Sequence, residues 1–452
     1  MKIVIVGCGK IGKSLIASLV KEGHEVVAVD KSEQKVADVI NIFDVMGVCG
    51  IGTDAVTLTE AGADKADIFV AVTGSDEMNM LSCFIAKTLG AENTVARIRD
   101  RAYNENSLSF LQQKLNLSMS INPERFAAQD IYNVLKLPGA VHIETFSTRN
   151  FEFIEIILKE DSPLNNTKIM DLRKQQKAKF LICAVQRGEQ AYIPDGNFVL
   201  EAGDKIALTA APTEVLKLLR SLKITRRQAK NVMILGGSRT GYYLAKMLLA
   251  SGNKVTIIDK DPVRCHELDE ALPGATVILG DGAHQEVLLE EGIKEMDAFV
   301  ALTGMDEENI LISYYAASQN VTKVVTKVNR SEFKAIAGKM GLDTIISPRR
   351  TISDVLVRYA RALQNTVGSN VEKLYKIMDG NAEVLMFNVH SEFKYTDIPL
   401  KDIKFKKNLL VAGILRNRKA IVPTGDDVIL PGDKVVIVST DHILYDLADI
   451  ID

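Results

Sequence analysis

Gly7-Cys8-Gly9-Lys10-Ile11-Gly12 stands between the β-branched run Lys2-Ile3-Val4-Ile5-Val6 and the helix-forming Ser14-Leu15-Ile16-Ala17. That order predicts a strand, a glycine turn and an amphipathic helix. Gly7 permits the tight turn, Gly9 lets a pyrophosphate approach the backbone, and Gly12 lets helix and strand pack closely. Backbone N–H groups at the helix start then hold phosphates, and the helix dipole favours their charge. Asp30, followed by Lys31, ends the next apolar run, where a carboxylate grips ribose hydroxyls. Glycines in this spacing are weak evidence by themselves. Strand, loop, helix, strand and acid in sequence predict a nucleotide site.

Working outward, Gly50-Ile51-Gly52-Thr53-Asp54 reads as a turn, and residues 56–61 as a short helix. Residues 67–72 form an unbroken apolar run that predicts a buried strand ending in Thr73-Gly74-Ser75-Asp76. Helix is expected over 77–89 and strand over 94–98. Strands alternating with helices predict a doubly wound parallel sheet.

The series then recurs. Gly236-Gly237-Ser238-Arg239-Thr240-Gly241 follows a second apolar run, and Asp259-Lys260 ends the strand after it. Gly7 to Gly236 and Asp30 to Asp259 are each 229 positions. Asp281-Gly282-Ala283 matches the earlier turn, and Leu302-Thr303-Gly304 matches Val72-Thr73-Gly74. Asn79 pairs with Asn309 and Arg97 with Lys327 at a spacing of 230. A second marker, Pro194-Asp195-Gly196 running to Gly203-Asp204-Lys205, returns as Pro423-Thr424-Gly425 running to Gly432-Asp433-Lys434, with Arg187 and Arg416 at the same interval. The chain is a tandem duplication of a two-domain unit. Its period is far longer than that of a solenoid.

The expected domains are a Rossmann-like domain over 1–120, a crossover helix over 121–140 and a small β-rich domain over 141–223. These are followed by a Rossmann-like domain over 229–345, a crossover helix over 346–370 and a second small domain over 371–452. The crossover helices carry apolar stripes of Phe126, Ile131, Val134 and Leu135, and of Ile352, Val355, Leu356 and Tyr359. Each stripe has two possible uses, a simple core face or a crossover face that packs on a second copy. The basic cluster Lys223, Arg226, Arg227 and Lys230 reads as a solvated linker at the mid-chain boundary.

Composition narrows the function. The chain has 452 residues, 47% of them hydrophobic, and a formal net charge of −3. Without a basic excess, nucleic acid is not the expected partner. No apolar stretch approaches the roughly 20 residues that span a bilayer, and no signal-peptide pattern opens the chain. Five cysteines, Cys8, Cys49, Cys83, Cys183 and Cys265, form no CxxC pair and read as buried thiols of a reducing cytoplasm. The histidines (His24, His142, His266, His284, His390 and His442) fall in no catalytic cluster, and no metal-ligand spacing occurs. His284 is expected at the surface or as a helix cap, and Asp76-Glu77 and Asp306-Glu307-Glu308 as helix-start charges. Ser238 in place of the central glycine sets a pyrophosphate farther from the second loop, while Arg239 adds a phosphate-seeking cation.

The glycine loop with Asp30, the strand end at Thr73, Asp76-Glu77-x-Asn79 and the PDG…GDK marker together resemble the RCK/KTN family. The duplicated order is similar to that of peripheral subunits of Trk-type potassium-uptake systems. The resemblance covers essentially the whole chain. It implies that Gly7, Cys8, Gly9, Lys10, Ile11 and Gly12 hold nucleotide phosphates and Asp30 the ribose. It places Gly52, Thr53 and Asp54 by the adenine, with Val72, Thr73 and Gly74 closing over the ligand and Arg97 approaching the phosphates. The matching second set is Gly236 to Gly241, Asp259, Lys260, Asp281, Gly282, Ala283, Leu302, Thr303, Gly304 and Lys327. The implied ligands are NAD(H) in the first half and NAD(H), ATP or ADP in the second. The implied assembly is a homo-oligomer, dimer or tetrameric ring, peripheral at the inner face of the cell membrane beneath a Trk- or Ktr-type potassium-translocating subunit. The crossover prolines Pro123 and Pro348 are 225 apart, not 229, which separates the two halves in detail. Two other readings stay open: an NAD-dependent oxidoreductase, and a regulator of another cation channel or efflux system with Glu124 binding a divalent cation.

Overall fold

A computed structural model describes residues 1–103, 105–136, 140–145, 152–175, 180–210, 214, 217–218, 229–365, 371–417, 419–442 and 444–452. Lys223, Arg226 and Arg227 of the basic cluster lie outside these residues. The chain divides into two compact units, one of residues 1–127 with 347–364 and one of residues 128–346 with 365–452.

The first unit is built on the opening strand β1 (Lys2–Val6). Its β-branched residues are buried on both faces, as a central parallel strand requires. The sheet runs β3-β2-β1-β4-β5-β6, with β2 at Glu25–Asp30, β3 at Met46–Cys49, β4 at Ile68–Ala71, β5 at Asn93–Arg97 and β6 at Met119–Ile121. Val4 pairs with Val27 on one side and Phe69 on the other. This is the doubly wound order in which ligands bind beyond the strands' carboxyl ends, where the order reverses between β1 and β4. Helices α1 (Lys10–Lys21), α2 (Glu33–Phe43), α3 (Ala55–Glu60), α4 (Asp76–Leu89) and α5 (Glu105–Lys114) connect the strands. Helix α6 (Pro123–Lys136) then leads out of the unit.

The second unit holds three domains. A five-stranded antiparallel sheet, β10-β9-β11-β8-β7, is formed by β7 (His142–Thr145), β8 (Glu152–Ile157), β9 (Phe180–Arg187), β10 (Gln190–Tyr192) and β11 (Lys205–Ala210), with α7 at Ile169–Gln175. A second parallel sheet, β14-β13-β12-β15-β16-β17, repeats the Rossmann order with β12 (Asn231–Leu235), β13 (Lys254–Asp259), β14 (Thr276–Leu279), β15 (Ala298–Ala301), β16 (Lys323–Lys327) and β17 (Thr344–Ile346). Its helices are α8 (Arg239–Ala250), α9 (Pro262–Ala271), α10 (Gln285–Glu290), α11 (Asp306–Ser318) and α12 (Ser331–Lys339). Helix α13 (Pro348–Asn365) follows it. The last sheet, β18-β19-β22-β20-β21, is formed by β18 (Val371–Ile377), β19 (Ala382–Asn388), β20 (Leu409–Arg416), β21 (Lys419–Ile421) and β22 (Lys434–Ser439).

The two small sheets share one topology and one apolar core, in which Phe153, Cys183, Ala184 and Ala207 meet Val384, Met386, Ala412 and Val436. The repeated GDK marker is structural. Arg187 grips Asp204 through Nε (2.7 Å) and Nη2 (2.8 Å), and Arg416 grips Asp433 likewise (2.9 and 2.7 Å). These planar two-point pairs fix the loop before the last long strand of each sheet.

The crossover stripes find their use in exchange between halves. Ile352, Val355, Leu356 and Ala360 of α13 are buried with Ile3, Ile5, Leu15 and Ile16 of the first Rossmann domain. Arg361 and Glu22 form a buried ion pair there, and the Ser14 and Ser353 hydroxyls meet at 2.9 Å. Within the second unit, Tyr132 of α6 bonds Ser251, and the Leu135 carbonyl accepts the Ala229 N–H. Each Rossmann domain therefore docks the crossover helix of the other half.

Among the described residues, no helix is long and apolar enough to cross a membrane. The cysteine expectation needs one correction. Cys8, Cys83, Cys183 and Cys265 are buried, but Cys49 is exposed. It ends β3, an edge strand with one side unpaired.

Candidate functional site

Gly7 adopts φ +107°, a conformation that side chains disfavour. A Cβ there would lie 3.0 Å from the Val72 carbonyl and the Thr73 nitrogen, so the loop is pressed against the end of β4. At Gly12 a Cβ would lie 1.8 Å from the Gly7 carbonyl oxygen, so helix and loop touch backbone to backbone. A Cβ on Gly9 would meet nothing within 4 Å. The middle of the loop thus faces open space at the start of α1, and no side chain caps that helix. These features fit a pyrophosphate, which needs close approach and free N–H groups.

Asp30 is buried at the end of β2, and its carboxylate holds the loop from below. Oδ2 accepts the Cys8 N–H at 2.8 Å, and Oδ1 accepts the Ser32 N–H at 3.0 Å. The acid expected to grip ribose therefore also sets the shape of the phosphate loop, and each oxygen keeps a second lone pair for a ligand. Burial, and secondarily the charge of Asp30, pushes the Cys8 thiol up to about 12, which keeps it protonated. The turn at Gly52 comes to the same edge, because a Cβ there would lie 2.3 Å from Val6. Asp54 caps α3, accepting the Thr57 N–H at 2.9 Å and its hydroxyl at 2.7 Å. Those bonds hold its carboxyl below the usual range.

Asn79 is fully buried beneath the strand end. Its Oδ1 accepts the Thr73 N–H (2.8 Å) and hydroxyl (2.7 Å), and its Nδ2 donates to the Arg97 carbonyl (2.9 Å). Asn79 thus acts on any ligand through Thr73. Arg97 is buried and donates to the Thr73 carbonyl, so the strand end is clamped from two sides. Asp76 accepts the Arg99 and Asp100 N–H groups at 2.7 Å, and so braces the loop after β5 besides opening α4. Lys10, Lys31 and Gly74 lie exposed along the same edge.

The second half repeats this frame with altered parts. Gly236 (φ +98°) abuts Leu302 and Thr303, and a Cβ on Gly241 would lie 2.6 Å from the Gly236 carbonyl oxygen. Asp259 accepts the Gly237 N–H at 2.6 Å and the Asp261 N–H at 2.9 Å. Asn309 holds Thr303 and the Lys327 carbonyl as Asn79 does its partners. Lys327 donates to the Leu302 carbonyl at 3.0 Å. Gly282 packs on Leu235, with Asp281 beside it and Ala283 exposed. Thr240 is buried behind the loop, while Arg239, Lys260 and Gly304 are exposed.

Two differences set the halves apart. Ser238 Oγ accepts the Gly241 N–H at 3.4 Å and caps α8, occupying a donor that the first loop leaves open. His284 stands where Asp54 stands in the first half and makes no side-chain cap. One pair escaped the sequence reading although its spacing announces it. Lys35 lies 4.0 Å from Asp30 and Arg264 lies 3.6 Å from Asp259, again 229 apart. Each strand-end acid thus has a cation beside it.

Relatives share this architecture. The TrkA-N domain family matches residues 3–116 and 232–348, and the TrkA-C domain family matches residues 153–223 and 384–452. A "Trk system potassium uptake protein TrkA homolog" of Archaeoglobus fulgidus is 31% identical over 97% of each chain. A second, homolog 1 of Methanosarcina mazei, is 30% identical over 97% of each. In fold, the chain is similar to a solved GsuK channel bound to NAD (TM-score 0.63, 16% identity, 97% of this chain and 77% of that one). Two matched domain pairs in tandem and full-length relatives place the chain in the TrkA family.

Proposed function

We propose that this chain is a nucleotide-binding regulatory subunit of a potassium-uptake system. The observation that carries the reading is the duplicated cradle, in which a glycine loop is pinned by its own strand-end acid in each half (Gly7–Gly12 with Asp30, Gly236–Gly241 with Asp259). In this reading the first loop holds the pyrophosphate of NAD(H), with Gly9, Lys10 and Ile11 at the phosphates. Asp30 and Lys31 take the ribose, Gly52, Thr53 and Asp54 the adenine side, and Val72, Thr73 and Gly74 the lid. Asn79 and Arg97 support the lid. The second site takes NAD(H), ATP or ADP, with Arg239 compensating for the N–H that Ser238 occupies. Asp259, Lys260, Asp281, Gly282, Ala283, Leu302, Thr303, Gly304 and Lys327 serve as their first-half counterparts do.

The chain acts as a homo-oligomeric ring at the inner face of the cell membrane, beneath a Trk- or Ktr-type translocating subunit. Nucleotides that bind two ring shapes unequally shift the population between them. The names of the relatives and the fold shared with a channel bound to NAD support this. So do exposed apolar residues at matching places on α4 and α11: Leu81 and Phe84 on one, Leu311 and Tyr314 on the other, each pair 230 apart. Apolar exposure repeated in both copies suits an assembly face. Phe84→Asp with Leu311→Asp is expected to reduce the assembly to a smaller species by light scattering while nucleotide binding persists. Co-purification with a Trk-type membrane subunit at several nucleotide concentrations tests the reading itself. A monomer that ignores the membrane subunit under every condition overturns it.

A further inference from the structure

The hairpin between β18 and β19 turns through three consecutive left-handed residues, Met378 (φ 51°), Asp379 (φ 58°) and Gly380 (φ 90°). Two of them carry side chains, and such backbone persists only where its surroundings enforce it. The Met378 side chain is fully buried in the core shared by the two small sheets. Its N–H donates to Glu155 Oε1 at 2.8 Å. Glu155 is 3% exposed and lies on β8 opposite Ala207, at the place where the second-half strand carries Met386 opposite Val436. A buried carboxylate in a sheet core is costly unless charge and hydrogen bonds meet it. Here Lys205 meets it at 3.0 Å and also reaches Asp379 at 3.3 Å. Desolvation pushes the Lys205 ammonium down, but Glu155 and Asp379 outweigh it and hold the group above its usual range. Asp379 in turn is held by Lys334 on α12 of the second Rossmann domain.

That helix is anchored to the candidate nucleotide edge. It starts directly after Arg330, whose N–H is held by Asp306 at 2.9 Å, and Asp306 opens the helix that follows Leu302-Thr303-Gly304. Strand end, brace, helix and hairpin turn form an unbroken series of bonded contacts within one compact unit.

We propose that the Met378–Gly380 turn is the element through which the second nucleotide site acts on the paired small domains, with Lys334–Asp379 as the joint and Glu155–Lys205 as the receiving pair. This rests on the second half binding a nucleotide. A movement of α12 that breaks the joint would take one cation from Asp379 and loosen the grip of Glu155 on the Met378 N–H. Glu155, absent from the matching strand, makes the device specific to one half.

The test uses the full chain with ADP or NADH as probe. Calorimetry reads binding, and hydrogen exchange reads the amides of residues 371–388 and 152–157. In the wild type, saturating nucleotide is expected to change exchange at the hairpin by about fivefold or more. Lys334→Glu, at a half-exposed position, is expected to abolish that change while heat of binding remains. Asp379→Asn, which keeps a residue suited to the left-handed turn but removes the charge, is expected to abolish it likewise. Binding with an undiminished hairpin response in Lys334→Glu overturns the joint alone. Absence of any heat attributable to the second half in the wild type overturns the second-site reading and the proposal with it.

Discussion

Gly12→Ala is expected to remove nucleotide binding from the first half and to destabilise the domain that carries it. The added Cβ would sit 1.8 Å from the Gly7 carbonyl oxygen, and neither partner is a flexible side chain. Helix α1 would have to move off the loop. Overpacking against backbone costs about 3 kcal/mol or more when nothing nearby yields. Gly241→Ala faces a 2.6 Å approach and is expected to cost less. Gly9→Ala is the informative partner. Its Cβ meets nothing, and Gly9 has extended backbone with φ −74°, so stability should change by no more than about 1 kcal/mol. Its methyl would nonetheless occupy the space a pyrophosphate needs, and NADH affinity should fall at least about tenfold, roughly 1.4 kcal/mol. Thermal unfolding with calorimetry separates the two effects.

Arg361→Ala is expected to have the other large effect. Arg361 and Glu22 have side chains only 4% and 5% exposed, and Nε donates to Glu22 Oε2 at 2.6 Å. Removing the guanidinium takes the ion-pair partner from a buried carboxylate, which typically costs about 3–5 kcal/mol. Loss should concentrate where α13 docks, so hydrogen exchange of the amides of α1 and β1 should accelerate first. Arg361→Met with Glu22→Leu removes both charges and should recover much of the loss, because an apolar pair of similar volume avoids the desolvation penalty. The comparison distinguishes a stranded charge from a general dislike of change at the helix.

Much of this was legible in residue spacing. Gly7, Gly12 and Asp30 declare the loop and its acid, and the interval of 229 declares the second copy. The same interval contained Lys35 and Arg264, whose place beside the acids becomes visible only when the strands are paired. The apolar stripes on α6 and α13 show that those helices bury a face but not which one they bury it against. A stripe records hydrophobicity, while the choice of domain depends on chain connectivity and on single pairs such as Arg361–Glu22. The hold of Asp30 and Asp259 on a loop N–H from below follows from loop geometry that a motif does not encode. Asn79 and Asn309 recur at the site, but only burial reveals that they hold Thr73 and Thr303 from behind. The solitary Glu155, matched by the apolar Met386 in the second half, breaks the alternation of its strand. Its partner Met378 is 223 residues away and could not be named from that break.

The central claim is that one chain carries two nucleotide cradles of the same frame and different trim. Calorimetric titration of the full chain with NADH and then ADP tests it most directly, run on the wild type and on Gly9→Ala. Two nucleotides are expected to bind per chain, with Gly9→Ala weakening the first at least about tenfold and sparing the second. A single site, no site, or a Gly9→Ala chain that binds both as before would contradict it.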